Sequence, residues 1–307
     1  MGAPRLGGLI DLGGTMEFGL AFANTGPFAA ADGAVVIAQS AEAAGFDSLW
    51  TVEHVIVPDG YESEYPYDPS GKMPGGDFAD IPDPLIWLTF LAGQTTSIKL
   101  GTGILILPQR NPVVLAKECA TLDSLSNGRL LLGIGVGWLE EEFDALGVPF
   151  ADRGKRTDEY VDVMRALWSE PKASHHGEYF GFDNAISQPK PVNGSIPIVI
   201  GGHTPIAARR AGRLGDGFFP GKGSNDDLRA LLAVMRESAE KAGRDPAAIE
   251  VTTGGAAAFA PDPVEALGEL AELGVSRVVI PPLTYNPTKI GDKLAEFGEN
   301  VIAQVNG

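Results

Sequence analysis

Glu53 and His54 are the first neighbouring residues in the chain that could carry proton chemistry. They follow FDSLWTV at residues 46–52, an apolar run typical of a buried β-strand, so both residues come at a predicted strand end. A histidine there can donate a proton or stabilise negative charge that develops on a bound ring. The alternative is a structural histidine whose ring caps a loop carbonyl, and position alone does not decide between the two.

Glycines cluster at the ends of two later apolar runs, Gly101-Thr102-Gly103-Ile104 and Gly133-Ile134-Gly135-Val136-Gly137-Trp138. Glycine late in a strand indicates a bulge or a close approach of the backbone to a ligand. Alternating glycines leave one strand face without side chains, so a flat ring could lie there with Trp138 as a wall. The GxGxG spacing differs from the GxGxxG fingerprint of dinucleotide-binding folds, so we do not predict such a fold.

The segment Gly201-Gly202-His203-Thr204-Pro205 is the strongest local motif in the sequence. Its glycines free backbone N–H groups, and a helix begins at once with Thr204 as N-cap and Pro205 in the first helical position. A turn of this kind is suited to binding a phosphate group, and the alternative is a plain tight turn with a good cap. Lys222 could add a cation for a phosphate or carboxylate, although a solvated loop lysine is the more common explanation.

Other reactive residue types do not form a convincing site. Cys119 is the only cysteine, which excludes an internal disulfide, and its apolar helical surroundings are typical of packing. His175 and His176 have no carboxylate cluster nearby, so we predict no metal site. Three consecutive acids at residues 140–142 are typical of a solvated helix start, where they complement the helix dipole. No order of residues indicates a hydrolase.

Charge and composition exclude several classes of protein. The 307 residues carry a net charge of −17, which argues against nucleic acid or an anionic membrane as a partner. No run of about 20 apolar residues predicts a membrane-spanning helix. Residues 1–15 are a poor signal peptide, and we interpret them as an N-terminal tail. We therefore expect a soluble cytoplasmic protein.

Eight short apolar runs, each followed by an amphipathic segment, must position these candidate residues. The predicted strands cover residues 17–23, 46–52, 98–106, 129–136, 196–200, 216–219, 249–258 and 275–280. The predicted helices cover residues 32–44, 84–96, 112–125, 155–168, 205–214, 225–242, 263–273 and 287–305. Eight β-then-α units predict an α/β fold, a (β/α)8 TIM barrel formed by residues 16–307 as a single domain. The active site of such a barrel lies on the loops that follow the strands.

Two insertions interrupt this alternation. Residues 57–82, after the second strand, are rich in Pro, Gly and Tyr, and long loops of this kind are often lids over a site. A mobile surface insertion is the alternative. Residues 174–197, before the fifth strand, predict a hairpin.

Taken in order, the strand ends resemble the luciferase-like monooxygenase family, especially its subgroup that uses the deazaflavin coenzyme F420. The matching pieces are MEFGLAFANTGP at 16–27, AEAAGFDSLWTVEH at 41–54, IKLGTGILILPQRNPVVLAKECATLDSLSNGRLLLGIGVGW at 98–138, HGEYF at 176–180, QPKPVNGSIPIVIGGHTPIAARRAGRLGDGFFP at 188–220 and the apolar strand at 275–280. The resemblance covers the chain except residues 1–15 and 57–82.

The resemblance implies a role for each strand end. Glu53 and His54 correspond to the family's catalytic acid–histidine pair, and Gly103-Ile104 to a bulge, often with a non-proline cis peptide, that supports the ring. The Gly135 and Gly137 backbone would flank the ring, and the turn at 201–204 would hold the phosphate. The implied cofactor-binding residues are Thr102, Gly103, Ile104, Gly135, Gly137, Trp138, Gly201, Gly202, His203 and Thr204.

The implied function is hydride transfer between F420 and a small organic substrate, with His54 as proton donor or charge stabiliser. The resemblance also implies a homodimer and a separate reductase or dehydrogenase that recycles the cofactor. Some deazaflavin relatives carry a catalytic glutamate where this chain has Trp138, so we do not expect their sugar-phosphate chemistry. Two alternatives stay open: a monooxygenase that uses reduced FMN, and a non-catalytic barrel that binds a flavin or deazaflavin.

Overall fold

The computed structural model describes residues 15–307. Its strands are β1 Glu17–Leu20, β2 Ser48–Thr51, β3 Lys99–Thr102, β4 Leu105–Ile106, β5 Leu130–Gly135, β6 Ala173–His176, β7 Gly181–Ala185, β8 Ile198–Gly201, β9 Gly217–Phe219, β10 Glu250–Gly254 and β11 Arg277–Ile280. Its α-helices are α1 Ala31–Ala43, α2 Pro84–Ala92, α3 Pro112–Leu125, α4 Glu140–Ala145, α5 Arg153–Ser169, α6 Pro205–Leu214, α7 Asn225–Lys241, α8 Pro263–Leu273, α9 Ile290–Phe297 and α10 Ala303–Asn306. The predicted tail, apart from Thr15, lies outside the described residues.

Nine of these strands form one parallel sheet that closes on itself. β1 pairs with both β2 and β11, and β3 pairs with both β2 and β5. β3 and β4 are two parts of one barrel strand, interrupted at Gly103-Ile104, so the closed ring has eight strands. A helix follows each barrel strand, and β6 and β7 form the antiparallel hairpin expected before β8. The prediction of a (β/α)8 barrel with two insertions is confirmed.

Four of the surrounding helices begin with the same two-residue motif. Asp83, Asn111, Thr204 and Asp262 each accept a hydrogen bond from an N–H of the first helical turn, and a proline follows each of them. The cap satisfies a donor that has no partner within the helix, and proline suits the first position because it needs no partner for its nitrogen. The predicted cap at Thr204 is confirmed in this way.

Several predicted elements extend too far, among them the seventh strand, expected over 249–258 although β10 ends at Gly254, and the second helix, expected over 84–96 although α2 ends at Ala92. The first strand was expected to reach residue 23, but β1 ends at Leu20 and the chain turns at Phe22, whose φ is 54°. The final helix was expected over 287–305, but a π-helical turn over Gly298–Ile302 separates α9 from α10. Gly298 packs there against the backbone of Ala44. Hydrophobic periodicity does not show either boundary, because buried apolar residues continue beyond it: Ala23 past β1, and Val301 and Ile302 past α9.

The indole of Trp50, on β2, fills the interior of the barrel. It is 1% exposed, and its Nε1 donates to the Ser48 hydroxyl at 2.8 Å. A Cβ at Gly101 would lie 2.9 Å from this ring, and a Cβ at Gly133 would lie 1.8 Å from the Thr102 carbonyl oxygen. Glycine in these strands is therefore required by the close packing of backbone and indole inside the barrel.

An ion-pair network closes the end of the barrel at which the strands begin. Arg277, the first residue of β11, has a fully buried side chain and pairs with Asp47 at 2.9 Å and with Glu17. Lys99 also pairs with Glu17, at 2.7 Å. These residues lie opposite the loops that carry the candidate site, so we assign the network to stability rather than to chemistry.

We expect Arg277→Met to lower the free energy of unfolding by about 3–5 kcal/mol, because Asp47 and Glu17 would lose their buried cation. Urea denaturation measures the loss. The control is Lys293→Met, which removes an exposed cation paired with Glu296 and should leave the unfolding midpoint unchanged. A loss for Arg277→Met no larger than that of the control would contradict the assignment.

Candidate active site

The loop that follows β2 is anchored at both of its ends by Asn24. The Asn24 side chain accepts from Val52 N at 2.9 Å and donates to the carbonyls of Val52 and Pro82. Asn24 is fully buried, and it follows β1 at the mouth of the barrel. We did not predict this residue from the sequence, although its position just past a strand end would have been a signal.

Glu53 points into the protein. Its carboxylate accepts hydrogen bonds from Arg110 and from the backbone N–H of Ile106, at the end of β4. Arg110 also pairs with Asp83 at 2.8 Å. Burial disfavours the charged guanidinium, but Glu53 and Asp83 outweigh that effect and raise the pKa of Arg110. The carboxylate of Glu53 therefore ties the end of β2 to the strand and loop beside it.

His54 lies at the mouth of the barrel with two defined contacts. Its ring packs edge-on against Trp138, with 5.6 Å between centroids and 86° between planes. Its Nδ1 lies 3.1 Å from Oε2 of Glu142. The other oxygen of Glu142 accepts from Val55 N at 2.6 Å and from Ile56 N at 3.2 Å.

The interpretation of residues 140–142 as a solvated helix start is wrong for Glu142. This side chain is completely buried, whereas Glu140 is exposed. The first turn of α4 points Glu142 inward, beside the buried Phe143, where its carboxylate meets the chain that leaves β2. A run of three acids does not show which one faces inward, because that depends on how α4 docks.

Residues 57–82 lie across the mouth of the barrel. Tyr61 and Tyr65 pack edge-on against Trp138, with centroids 5.7 and 5.3 Å away, and Tyr67 packs against His203 at 4.9 Å. Lys222 donates to the carbonyl of Pro66. The cation that we considered for a phosphate is thus bonded to this segment, which has the position that a lid requires.

Glu141 attaches this segment to α4. Its carboxylate accepts from the backbone N–H groups of Glu62 at 2.7 Å and Ser63 at 3.0 Å. Hydrogen bonds from Ser63 and from the neighbouring backbone lower the pKa of Glu141 to about 2. The carboxylate is therefore ionised near neutral pH and bonded to the middle of the segment.

The glycine-rich strand ends meet around the side chain of Ile104. The Gly103-Ile104 peptide bond is cis, as the resemblance implies. A Cβ at Gly135 would lie 2.3 Å from the Ile104 side chain, and one at Gly201 would lie 2.6 Å from it. Ile104 thus occupies the space beside these two glycines, and the Thr102 hydroxyl donates to the Gly133 carbonyl at 2.6 Å inside the barrel.

Gly137 forms the turn between β5 and α4. Its φ is 82°, and a Cβ there would lie 2.6 Å from the ring of Phe143. The turn brings Trp138 to the mouth of the barrel, where it contacts both His54 and the tyrosines of the segment at 57–82.

The turn between β8 and α6 has the expected cap but fewer available N–H groups than the sequence indicates. Gly202, with φ of 126°, donates its N–H to the carbonyl of Phe219 at 3.1 Å, so this donor belongs to the sheet. Thr204 accepts from Ala207 N at 3.2 Å.

The Nδ1 atom of His203 is buried and has no hydrogen-bond partner among the described residues. Burial and the nearby Lys222 lower the pKa of His203, so its ring is neutral at pH 7.

The remaining reactive residues lie apart from this mouth. Cys119 is fully buried on α3, and burial raises the pKa of its thiol. His176 is exposed on the hairpin, 3.2 Å from Asp183. Within residues 15–307, no three His, Cys, Asp or Glu side chains converge as a metal site would require. In the same range, no helix combines the length and the apolar character needed to cross a membrane.

Comparison with known proteins defines the class of this chain. A family model described as luciferase-like monooxygenase matches residues 16–283. The chain belongs to this family and is an oxidoreductase.

An uncharacterized protein of Mycobacterium tuberculosis, Rv0940c, is 34% identical over 281 residues, which are 88% of this chain and 95% of that protein. An F420-dependent glucose-6-phosphate dehydrogenase of Kineococcus radiotolerans is 34% identical over 236 residues, which are 75% of this chain and 65% of that protein.

Two solved structures share the fold. An F420-dependent secondary alcohol dehydrogenase, in complex with an F420–acetone adduct, has a TM-score of 0.75 at 20% identity and covers 95% of this chain and 100% of that chain. The monooxygenase RslO1 from Streptomyces bottropensis has a TM-score of 0.74 at 22% identity and covers 94% of this chain and 99% of that chain. Identities this low establish the shared barrel alone.

We expect Glu141→Ala to loosen the segment at 57–82, because two backbone N–H groups would lose their acceptor. Lys72 is the only lysine or arginine between residues 57 and 82, so trypsin cleavage after Lys72 reports the loosening. Mass spectrometry of timed digests should show faster cleavage than in the wild type. Glu140→Ala, whose side chain is exposed on the same helix, is the control. Equal rates for both variants would contradict the attachment.

Proposed function

We propose that this chain is an F420-dependent oxidoreductase that transfers a hydride between the deazaflavin and a small organic substrate. The observation that carries the proposal is the imidazole of His54, which lies at the barrel mouth against a buried carboxylate. Hydride transfer to a carbonyl, or from an alcohol, needs a group that supplies or removes a proton. The F420-dependent relative from Kineococcus radiotolerans supports this cofactor.

The residues at the mouth fit a phosphorylated ring cofactor. Among the described residues, the buried Nδ1 of His203 has no hydrogen-bond partner, and α6 begins two residues later, after its cap Thr204. A phosphate at the start of α6 would receive N–H groups and the positive end of the helix dipole. We propose that His203 and Thr204 hold the phosphate group. Gly201 and Gly202 would line the turn without a side chain that blocks the phosphate, since the N–H of Gly202 already donates to the Phe219 carbonyl.

The ring would lie against the remaining predicted residues. We propose that Thr102, Gly103 and Ile104 support it from one side, and that Gly135, Gly137 and Trp138 flank it. The two stretches belong to neighbouring barrel strands, and the side chain of Ile104 lies beside Gly135. The deazaflavin supplies a carrier for two electrons as a hydride when it is bound.

The protein's own residues hold the reacting groups in place, transfer the proton and exclude water from the site. His54 is the catalytic residue that moves the proton, and Glu53 is a positioning residue, because its contacts are to Arg110 and to the end of β4. The segment at 57–82 closes the site, and its tyrosines with Trp138 form an aromatic wall. Such a wall favours an uncharged substrate with an apolar body over a sugar phosphate.

Several wider expectations belong to the same proposal. We propose a cytoplasmic enzyme whose residues 16–307 act as one domain behind an N-terminal tail, with a separate reductase or dehydrogenase to recycle the cofactor. We also propose a homodimer. The exposed apolar side chains Ile86 and Phe90 on α2 and Val114 on α3 would suit contact with a second copy.

The cofactor is tested by titrating the purified protein with oxidised F420 and with FMN in parallel, with fluorescence as the readout. We expect saturable binding of F420 and weaker binding of FMN. Tight binding of FMN alone would favour the monooxygenase that uses reduced FMN. Binding of neither would contradict the proposal.

Turnover is then measured with a panel of probes. Propan-2-ol, cyclohexanol and benzyl alcohol are offered with oxidised F420, and the corresponding carbonyl compounds with reduced F420. Bleaching or recovery of the deazaflavin absorbance follows the reaction. Tight F420 binding without turnover of any probe would favour the non-catalytic barrel.

We expect His54→Ala to slow turnover by about 10²- to 10⁴-fold, because the proton would have no positioned donor or acceptor. The dissociation constant for F420 should change little. His176→Ala, on the exposed hairpin, is the control and should turn over at the wild-type rate. Normal turnover by His54→Ala would remove His54 from the mechanism.

A further inference from the structure

We propose that Glu142 is a positioning residue that fixes His54 in one tautomer, with the proton on Nδ1 and a free lone pair on Nε2. This inference rests on the proposed function of His54 as the group that moves a proton. The two residues are 88 positions apart in the chain and meet because α4 docks beside the end of β2. Neither the family motif at Glu53-His54 nor the spacing of the acids predicts the pair.

The hydrogen bonds around Glu142 determine the direction of the contact with His54. Its Oε1 accepts from two backbone N–H groups, those of Val55 and Ile56, so this atom acts as an acceptor. Its Oε2 faces Nδ1 of His54 at 3.1 Å. An ionised carboxylate only accepts hydrogen bonds, so Nδ1 must carry a proton, and in the neutral ring Nε2 must then lack one.

Burial gives this hydrogen bond its importance. The side chain of Glu142 is 0% exposed and that of His54 is 8% exposed, so water does not compete freely for either partner. A buried donor or acceptor without a partner is costly, so the alternative tautomer, which would leave Oε2 of Glu142 facing an unprotonated Nδ1, is disfavoured. Trp138 packs edge-on against the same imidazole and opposes its rotation.

The fixed tautomer suits proton transfer in both directions. In the oxidation of an alcohol, the O–H proton would pass to Nε2 of His54 as the C–H bond gives up a hydride to bound oxidised F420, and the C=O double bond would form. The alcohol would lose two electrons, for which the bound deazaflavin would be the acceptor, and the resulting imidazolium would face the carboxylate of Glu142. In the reduction of a carbonyl, the imidazolium form of His54 would give its Nε2 proton to oxygen while a hydride from bound reduced F420 adds to carbon. In both cases the neutral state of His54 has its proton on Nδ1.

Glu142→Gln tests the tautomer with little change of shape. The amide oxygen of the glutamine must replace Oε1, because Val55 and Ile56 still require an acceptor there. The amide NH₂ group then faces His54 and donates to Nδ1, which loses its proton. The imidazole would switch to the tautomer with the proton on Nε2. Glu140→Gln makes the same charge change on the exposed side of α4 and is the matched control.

Nitrogen NMR of histidine-labelled protein reads the tautomer directly. The chain has only four histidines, and the spectrum of His54→Ala assigns the signals of His54. We expect a protonated Nδ1 and an unprotonated Nε2 in the wild type and in Glu140→Gln, and the reverse in Glu142→Gln. A protonated Nε2 in the wild type, or an unchanged tautomer in Glu142→Gln, would overturn the proposal. This readout needs neither cofactor nor substrate, so it stands even if the F420 proposal fails.

Turnover of the fastest alcohol of the panel with oxidised F420 gives the second readout, because this direction needs Nε2 of His54 to accept a proton. We expect Glu142→Gln to lower kcat by about 10²- to 10⁴-fold, because neutral His54 would present a protonated Nε2. The dissociation constant for F420 should stay within about twofold of the wild-type value. In the His54→Ala background, the same substitution should cost almost nothing further, because Glu142 acts through His54. An equal loss in both backgrounds would show a structural role instead and overturn the proposal.

Discussion

The close packing of barrel strands around the indole of Trp50 is the constraint on which the structure depends. The ring fills the interior so closely that Gly101 has no room for a Cβ, and the strands around it pack so tightly that a Cβ at Gly133 would meet the Thr102 carbonyl. On one side the ring contacts Phe219 near the mouth, and on the other the guanidinium of Arg277 lies 5.7 Å from it. The indole thus connects the ion pairs that close one end of the barrel to the strand ends that carry the site.

Buried or bonded carboxylates organise the loops of this acidic chain. Glu53 accepts from the end of β4, Glu142 from the chain that leaves β2, and Glu141 from the segment across the mouth. Glu142 and Glu141 each accept two backbone N–H groups of a loop, and Glu53 accepts the N–H of Ile106 at the end of β4. These loops are irregular, so their N–H groups lack the repeating hydrogen-bond partners that a sheet supplies. A single carboxylate can instead bond the N–H groups of two successive residues. Part of the acidic charge is therefore structural and lies at the site.

Much of the site was predictable because barrel strands end at one edge. The positions of His54, Trp138 and Thr204 at the mouth follow from their places after three different strands, and the cap at Thr204 is a local motif. The roles of individual groups were less predictable. Glu142 was interpreted as solvated, and the N–H of Gly202 was counted as available although it pairs with Phe219. Both depend on neighbours that are distant in the sequence.

The sequence by itself determined the order of eight strand-and-helix units, and with it the closed barrel and the edge at which the candidate residues gather. These features follow from local periodicity, caps and turns, which each act over a few residues. Only the tertiary structure decided which carboxylate faces His54 and which tyrosines cover Trp138. The physical reason is that periodicity shows which face of an element is buried, while the docking of elements decides what that face meets.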